Sequence, residues 1–256
     1  MELKDRIALI TGAGSGMGRA SALAMAREGA TIVVADYNLE SATRVAKQIA
    51  DEKIGKGVPY EVDMSDVAQI RAMMDFVQNE FGRLEILYNH VGAPGPGGLT
   101  ATEEEWTRTI DLNIKSAFFA TSFAEKLLRA SPGKASVMFT SSVSGIVGSG
   151  MSPIYSLCKG GIVTFAKSLA LWLAPDVRVN AICPGGVDTP MLPLFYGRDP
   201  GADPSARIKA YLETAVPLRR LCQPEEVANV AVFLASDRSS YITGSAIAVD
   251  GGFLAR

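Results

Sequence analysis

The stretch TGAGSGMG, at Thr11–Gly18, follows the apolar run RIALIT (6–11) and opens a helical pattern. Gly12, Gly16 and Gly18 let the chain turn sharply and let backbone amides approach a pyrophosphate, whose charge a helix N-terminus stabilises. The same glycines are also typical of a simple tight turn. Because the loop stands directly between a strand and a helix, the pattern favours a dinucleotide-binding loop.

Short apolar, β-branched runs alternate with longer helical patterns outward from this loop. Strands are predicted at 6–11, 31–36, 58–63, 84–89, 135–141, 177–183 and 246–250, and helices near 17–28, 39–52, 66–81, 103–129, 154–174 and 224–235. Several strands are apolar at consecutive positions, as in parallel sheets covered on both faces. The alternation predicts one α/β domain over 1–256, a doubly wound Rossmann fold with a seven-stranded parallel sheet and helices on both faces.

The composition of the chain argues against nucleic acid and membranes as binding partners. A formal net charge of -2 and a pI near 5.6 argue against broad attraction to nucleic acid or anionic membrane. No apolar run reaches the roughly 18 residues of a membrane span, so a cytoplasmic location is expected. The single histidine, His90, and three widely spaced cysteines predict no metal site and no Ser–His triad.

The second predicted strand ends in VVADY and places Asp36 at its carboxyl end. A carboxylate there can accept both ribose hydroxyls of adenosine and would repel a 2′-phosphate. A solvated aspartate at a strand end is the alternative. No lysine or arginine stands beside Asp36 in the sequence, which favours NAD over NADP.

The motif PIYSLCKGG (153–161) places Tyr155 and Lys159 four residues apart on one face of a predicted helix. An amphipathic helix with a surface lysine gives the same pattern. A free tyrosine has a pKa of about 10 and is a poor base at neutral pH. A lysine charge about 4 Å away would favour the phenolate by ~4 kcal/mol at an effective dielectric constant of about 20. That is roughly three pKa units, which would let the phenol exchange a proton near neutral pH.

A third group strengthens the catalytic interpretation of this tyrosine. The strand before the helix ends in TSSVSG, and Ser142 can present its hydroxyl to the same substrate oxygen as Tyr155. Two hydroxyl groups that converge on one oxygen indicate proton exchange at a carbon–oxygen bond that undergoes hydride transfer.

With these motifs in place, the sequence resembles the short-chain dehydrogenase/reductase family, in its subtype of about 250 residues, from Lys4 to Gly252. TGAGSGMG matches the family's Thr-Gly-x-x-x-Gly-x-Gly. NHVG at 89–92 matches the first and last residues of Asn-Asn-Ala-Gly, and PGGVDT at 184–189 resembles the segment that binds the nicotinamide amide.

The resemblance implies a role for each matching residue. Tyr155 is the acid/base, Ser142 holds the substrate oxygen, Lys159 binds the nicotinamide ribose and lowers the pKa of the tyrosine, and Asn113 positions a water. NAD is the implied cofactor. Its implied binding residues are Gly12, Ser15, Gly16, Met17, Gly18, Asp36, Tyr37, Asp63, Met64, Asn89, Gly92, Thr140, Tyr155, Lys159, Pro184, Val187 and Thr189.

The motif NHVG departs from the family pattern, since His90 and Val91 replace Asn and Ala. A hydrogen bond within the central sheet is the favoured role for His90, and Val91 is expected to reshape the cofactor bed slightly. The GAPGPGG loop (92–98) is expected to border the substrate pocket. Neither substitution removes a catalytic group.

Candidates for the substrate pocket are mostly apolar, which favours a neutral, somewhat hydrophobic alcohol or ketone. They are Ser144, Gly145, Ile146, Met151, Gly185, Gly186, Met191, Leu192, Leu194, Phe195 and Tyr196. The segment 190–215, with a short helix near 205–214, is predicted to be a lid that excludes water. Arg198, Arg207 and Lys209 in this lid could contact an acidic group, but a solvated face is the favoured interpretation.

The main hypothesis is NAD-dependent interconversion of a secondary alcohol and a ketone. The alternative is a binding protein that senses the NAD/NADH ratio without turnover. The family resemblance also implies a homotetramer, in which the helices at 103–129 and 154–174 pack across a two-fold axis and the VDGG tail joins another interface.

Overall fold

The computed structural model describes residues 1–131, 135–198, 201 and 203–255. Seven strands form one parallel sheet: β1 (Ile7–Thr11), β2 (Thr31–Asp36), β3 (Lys56–Glu61), β4 (Ile86–Asn89), β5 (Ala135–Thr140), β6 (Val177–Pro184) and β7 (Ala246–Val249). Their order across the sheet is β3-β2-β1-β4-β5-β6-β7, which reverses direction between β1 and β4. The predicted doubly wound fold is confirmed.

Helices cover both faces of the sheet. They are α1 (Gly16–Arg27), α2 (Leu39–Asp51), α3 (Val67–Phe81), α4 (Glu103–Ile110), α5 (Ser116–Arg129), α6 (Pro153–Leu173), α7 (Leu192–Tyr196), α8 (Pro204–Ala215) and α9 (Pro224–Ala235). Ile7 and Leu9 of β1 pack into a core with α3, α5 and α6, whereas Ala8 and Ile10 pack into a second core with α1, α2 and α9. Burial on both faces explains why the strand is apolar at consecutive positions.

One predicted helix and one segment without a predicted helix differ from the observed structure. The helix expected at 103–129 is interrupted by a π-helical turn at Asp111–Lys115. Ahead of the short helix expected near 205–214, where none is predicted, α7 forms between Met191 and Gly197. This helix is too short to have a recognisable period in the sequence.

The lid region is held differently from the rest. No residue of α8 is buried, although the structure describes the whole helix. Its first turn is stabilised locally, by Pro204 at the start and by the Asp203 carboxylate, which accepts a hydrogen bond from the Ser205 N–H at 2.9 Å. Part of the predicted lid, at 199, 200 and 202, lies outside the described residues.

The topology determines where the motifs meet. The carboxyl ends of parallel strands lie at one edge of the sheet, and in this fold ligands bind there, next to the reversal of strand order. The glycine loop, Asp36, Asn89, Thr140 and Pro184 are all at these ends. Within the described ranges, none of the helices has the length and apolar content needed to cross a membrane.

Candidate active site

The glycine loop forms a close backbone turn that only glycine permits. Gly12 and Gly16 have φ angles of +69° and +52°, in the left-handed region. A Cβ atom on Gly18 would lie 2.2 Å from the carbonyl oxygen of Gly12, so no side chain fits between β1 and α1. At the start of α1, the side chain of Ser15 makes no capping hydrogen bond, and this serine is exposed. The loop therefore presents free backbone and hydroxyl groups at a helix N-terminus, a suitable site for a phosphate.

Asp36 is buried at the end of β2 and is oriented by backbone amides. Its carboxylate accepts hydrogen bonds from the N–H groups of Gly14, at 2.8 Å, and Asn38, at 3.0 Å. The carboxylate is thus fixed against the glycine loop rather than solvated, while the neighbouring Tyr37 side chain is exposed.

Cations lie closer to this end of the site than the sequence indicates. A cleft of about 570 Å³ beside Gly14 is lined by Arg19, Arg44 and Lys47, which approach from α1 and α2. Arg19 donates to the Gln48 side chain at 2.7 Å. Arg44 pairs with Glu40 at 2.9 Å and also donates to Ser41. Both arginines therefore already have partners.

The residues expected near adenine follow β3. The Asp63 carboxylate accepts hydrogen bonds from the backbone N–H of Ser65, at 2.8 Å, and from its hydroxyl, at 2.7 Å. Met64 is buried. The turn is therefore rigid, and it holds an acceptor at the surface.

The segment after β4 contains an unmatched polar atom. Asn89 donates through Nδ2 to Thr121 at 3.1 Å, but among the described residues its buried Oδ1 has no hydrogen-bond partner. A buried acceptor of this kind normally has a donor. A Cβ atom on Gly92 would lie 2.8 Å from Asn113 Oδ1 and 3.1 Å from Lys159 Nζ, so glycine is required for these side chains to approach the loop.

The π-helical turn positions Asn113. The Asn113 amide donates to the carbonyl groups of Ala93, at 3.0 Å, and Thr109, at 2.9 Å, and its Oδ1 accepts from the Ala93 N–H at 3.3 Å. A π-turn inside a longer helix is a common feature of functional sites. It places this asparagine, buried, between the loop after β4 and the helix.

Ser142, Tyr155 and Lys159 meet at the carboxyl end of β5. Burial raises the pKa of Tyr155 to about 12, although a hydrogen bond with Ser142 and the positive charge of Arg198 lower it in part. Burial lowers the pKa of Lys159 to about 8. The Lys159 ammonium donates to the carbonyl oxygen of Thr140 at 2.9 Å.

This geometry corrects the electrostatic argument made from the sequence. Lys159 Nζ lies 5.6 Å from the centre of the Tyr155 ring and is directed at the Thr140 carbonyl rather than at the phenol oxygen. Desolvation outweighs the nearby cations, because burial disfavours the charged form of a phenol. Tyr155 is therefore protonated at neutral pH, where the sequence predicted an acidified phenol.

His90, at which the motif NHVG departs from the family pattern, belongs to a chain of hydrogen-bonded side chains. Its Nδ1 forms a hydrogen bond of 2.8 Å with the Thr140 hydroxyl, which donates to the Tyr88 hydroxyl at 2.9 Å. Burial lowers the pKa of His90 to about 4, so the ring is neutral. The structure thus gives His90 the predicted hydrogen bond within the sheet. No cluster of three or more metal-ligating side chains occurs among the residues that the structure describes.

The segment after β6 closes the site from the other side. Val187 is buried and forms an isolated parallel bridge with Cys222. The Thr189 hydroxyl lies 3.5 Å from the carbonyl oxygen of Val187, and its methyl group lies 3.3 Å from the position that a Cβ of Gly16 would occupy. The structure therefore brings the predicted carboxamide segment against the glycine loop.

The lid contributes two side chains that lie next to Tyr155. The Phe195 ring packs edge-on against Tyr155, with 5.1 Å between ring centres. The Arg198 guanidinium lies 4.9 Å from the centre of the same Phe195 ring. Arg198 is partly buried, so the expected solvated face is wrong for this residue. Arg198 lies just beyond the end of α7, so no helical spacing in the sequence could have indicated its contact with Phe195.

The segment 92–98 is fastened from two directions. The Ser152 hydroxyl donates to the carbonyl oxygen of Pro96 at 2.7 Å, and Arg198 donates through Nη2 to the carbonyl oxygen of Pro94. This loop therefore connects the start of α6 with the end of α7. That this loop borders the substrate pocket stays a prediction.

Comparison with known proteins agrees with this geometry. The family model described as enoyl-(acyl carrier protein) reductase matches residues 12–254. The chain is 36% identical to a 3-oxoacyl-(acyl-carrier-protein) reductase of Thermotoga maritima, covering 99% of this chain and 100% of that protein. It is 33% identical to a cyclohexanol dehydrogenase of Acinetobacter sp. (100% and 97% covered), and 34% identical to a meso-2,3-butanediol dehydrogenase of Serratia marcescens (98% and 96% covered).

Solved structures are equally similar. A short-chain type dehydrogenase/reductase from Mycobacterium marinum superposes with a TM-score of 0.89 at 32% identity, covering 100% of this chain and 98% of that one. The L-sorbose reductase of Gluconobacter frateurii, complexed with NADPH and L-sorbose, has a TM-score of 0.92 at 29% identity, with both chains covered completely. The chain therefore belongs to the short-chain dehydrogenase/reductase family, oxidoreductases that bind a nicotinamide cofactor and act on small-molecule alcohols or ketones.

Proposed function

We propose that this chain is an NAD(H)-dependent oxidoreductase that interconverts a secondary alcohol and a ketone, with Tyr155 as the acid/base. The observation that carries the proposal is the position of Tyr155 beside Ser142 and beside the buried ammonium of Lys159, whose Nζ lies 5.6 Å from the centre of the Tyr155 ring. Two hydroxyl groups can then hold one substrate oxygen, and one of them can exchange a proton with it.

The reaction divides between the protein and its cofactor. A bound nicotinamide would supply the hydride to the carbonyl carbon, or take it from the carbinol carbon. In the reduction direction, protonated Tyr155 donates its proton to the carbonyl oxygen while Ser142 holds that oxygen. In the oxidation direction, Tyr155 would first release its own proton to solvent by way of Lys159 and a water held by Asn113, and the phenolate would then accept the hydroxyl proton of the substrate.

The residues present fit a dinucleotide. The glycine loop is a cradle that any Cβ on Gly18 would fill, and Asn89 offers a buried acceptor without a partner among the described residues. Phosphates would bind at Gly12, Ser15, Gly16, Met17 and Gly18, adenosine at Asp36, Tyr37, Asp63 and Met64, the nicotinamide ribose at Asn89, Gly92, Thr140, Tyr155 and Lys159, and the carboxamide at Pro184, Val187 and Thr189.

The preference for NAD rests on Asp36. Its carboxylate is buried and fixed beside Gly14, where it would accept ribose hydroxyls and repel a 2′-phosphate. Arg19 and Arg44 could attract a 2′-phosphate, but both are bound to neighbouring side chains, which supports NAD. The sorbose reductase, by contrast, is a similar protein whose complex contains NADPH. The ratio of kcat/KM for NADH to kcat/KM for NADPH therefore tests the preference for NAD directly.

The substrate class follows from the relatives and the apolar pocket. Cyclohexanol, butanediol and oxoacyl substrates in the names of the relatives share a secondary alcohol or its ketone. A scan of such alcohols and ketones with each cofactor, followed by the ultraviolet absorbance of the reduced nicotinamide, tests the proposal. We expect turnover with NAD(H). Tight NADH binding with no turnover of any compound would instead indicate the sensing protein.

The assembly is a further part of the proposal. Exposed aromatic and apolar side chains on α4, α5 and α6 support packing of these helices across a two-fold axis in a homotetramer. They are Trp106, Phe118, Leu157, Leu171 and Trp172. Light scattering during size-exclusion chromatography measures the mass of the assembly. A cytoplasmic location and a single domain over 1–256 complete the proposal.

A further inference from the structure

We propose that Arg198 selects substrates that carry a carboxylate on a short apolar skeleton. The inference rests on the proposed function and names the substrate class of the same site. The pocket would then bind a keto or hydroxy acid with its oxygen at Tyr155 and its carboxylate at the guanidinium of Arg198.

The position of Arg198 relative to Tyr155 is the first observation. One aromatic ring, Phe195, separates them, with 4.9 Å from the guanidinium carbon to the ring centre and 5.1 Å from that centre to the Tyr155 ring. The positive charge is close enough to lower the pKa of Tyr155 in part. A substrate whose oxygen lies at Tyr155 therefore has Arg198 within reach of a substituent a few bonds away.

The second observation is that the guanidinium lacks an anionic partner. Its Nε is buried without a hydrogen-bond partner, and within the described ranges no carboxylate forms an ion pair with it. Toward the residues that the structure describes, only Nη2 donates, to the carbonyl oxygen of Pro94, although a guanidinium has five N–H groups. Burial of a charge without a counter-ion is costly, and a substrate carboxylate would offset that cost with strong, charge-assisted hydrogen bonds.

The other lid cations differ from Arg198. Arg207 donates to the carbonyl oxygen of Tyr196 at 3.3 Å and so contacts backbone of the lid itself. Lys209 is exposed and lies 4.0 Å from Glu213, on the outer side of α8. Arg198 is partly buried, stacks on Phe195 and lies near Tyr155. It therefore differs from the exposed cations of the lid surface.

A structural role for Arg198 predicts a different result. Its hydrogen bond to Pro94 could serve only to hold the loop 92–98 against the lid. Loss of that bond would impair acidic and neutral substrates equally. The ratio of kcat/KM for an acid and its amide separates the two roles, because acid and amide share shape and differ in charge.

The kinetic test compares reduction of levulinate and levulinamide by the wild type, R198Q, R198K and the matched lid control K209Q. We expect the wild type to favour the acid and R198Q to lose ~10- to 100-fold of that ratio, as for a charge-assisted hydrogen bond. R198K should retain part of the preference, since lysine keeps the positive charge but lacks the planar guanidinium that can bind a carboxylate with two parallel hydrogen bonds. K209Q should keep the ratio of the wild type. No preference in the wild type, or an equal loss on acid and amide in R198Q, would overturn the proposal.

A binding measurement decides the question without turnover. Isothermal titration in the presence of NADH compares cyclohexanecarboxylate with cyclohexanecarboxamide. Tighter binding of the carboxylate that R198Q abolishes supports the proposal, and equal binding of both refutes it. If no ketone is reduced by the wild type, the proposed function fails, and the titration still tests the carboxylate site by itself.

Discussion

The start of α6 and the lid, which meet where Tyr155 packs against Phe195, are built in different ways. Lys159 is 3% exposed and donates to Thr140 in the central sheet, whereas no residue along the described length of α8 is buried. The catalytic side is thus held by long-range contacts with the core, and the lid mainly by local caps and a few contacts near Phe195. Under the proposed function, the chemistry would be tied to the sheet, and substrate selection to a segment that can vary at little cost in stability.

Because Tyr155 stands on the side held by the core, its substitution is expected to have the largest effect on activity. Tyr155→Phe should lower kcat/KM for every ketone by ~10²- to 10⁴-fold, the range for loss of a general acid. NADH affinity, measured by fluorescence titration, should stay close to that of the wild type. Tyr241→Phe, a fully exposed tyrosine, is the matched control. Full activity of Tyr155→Phe on every substrate would remove the acid/base assignment.

The next largest effect is expected at the glycine loop. A methyl group at position 18 would overlap the Gly12 carbonyl oxygen, so Gly18→Ala must displace β1 or α1. We expect the Kd for NADH to rise by ~10- to 100-fold, in line with the cost of overpacking. Gly148→Ala, where an added Cβ meets nothing within 4 Å, is the control. An unchanged Kd in Gly18→Ala would argue against a phosphate site in this loop.

A smaller effect is expected for the choice of cofactor. Asp36→Ala removes the carboxylate held by Gly14 and should shift the NADH/NADPH ratio of kcat/KM toward NADPH by ~10-fold. Asp51→Ala, at the rim of the neighbouring cleft, should leave the ratio nearly unchanged. If the wild type already prefers NADPH, the NAD assignment is wrong.

The pKa of Lys159, on the side held by the core, predicts how kcat/KM depends on pH. Its pKa of about 8 means that the ammonium loses its proton as the pH rises above that value, while Tyr155, with a pKa of about 12, stays protonated. We therefore expect kcat/KM for ketone reduction to be flat below pH 8 and to fall above it. The oxidation rate should rise with pH, because the phenolate is a small fraction of Tyr155 that grows about tenfold per pH unit below the pKa. Reduction that stays constant through pH 10 would show that the lysine charge is dispensable.

The smallest effect is expected on the outer face of the lid. Glu213→Gln removes an exposed pair with Lys209 at 4.0 Å, and such pairs contribute ~0–1 kcal/mol. The free energy of unfolding and kcat/KM should both stay close to the wild-type values in urea titration and steady-state assays. A large loss of activity would show that the lid is coupled more tightly to the catalytic side than its exposure indicates.

The sequence was sufficient to predict the fold, because consecutive apolar strands and glycine punctuation reflect burial on both faces of a sheet. The grouping of Ser142 with Tyr155 was also predictable, since Ser142 follows the carboxyl end of β5 and Tyr155 stands at the start of the next long helix. The orientation of Lys159 was not, because helical spacing places a side chain on a face without fixing which acceptor its ammonium reaches. Arg198 was missed because its burial depends on Phe195 and Pro94, a tertiary arrangement without a periodic signal.

The hydrogen bonds of Asn113 have a mechanical consequence. Its amide accepts from the N–H of Ala93 and donates to the C=O of Ala93. The side chain thus gives the loop after β4 the pair of hydrogen bonds that a neighbouring strand would otherwise provide. The loop and the π-turn must then shift together or separate at the cost of two hydrogen bonds. Asparagine thereby transmits any displacement of the pocket rim to the long helix α4–α5, whose outer face carries Trp106 and Phe118.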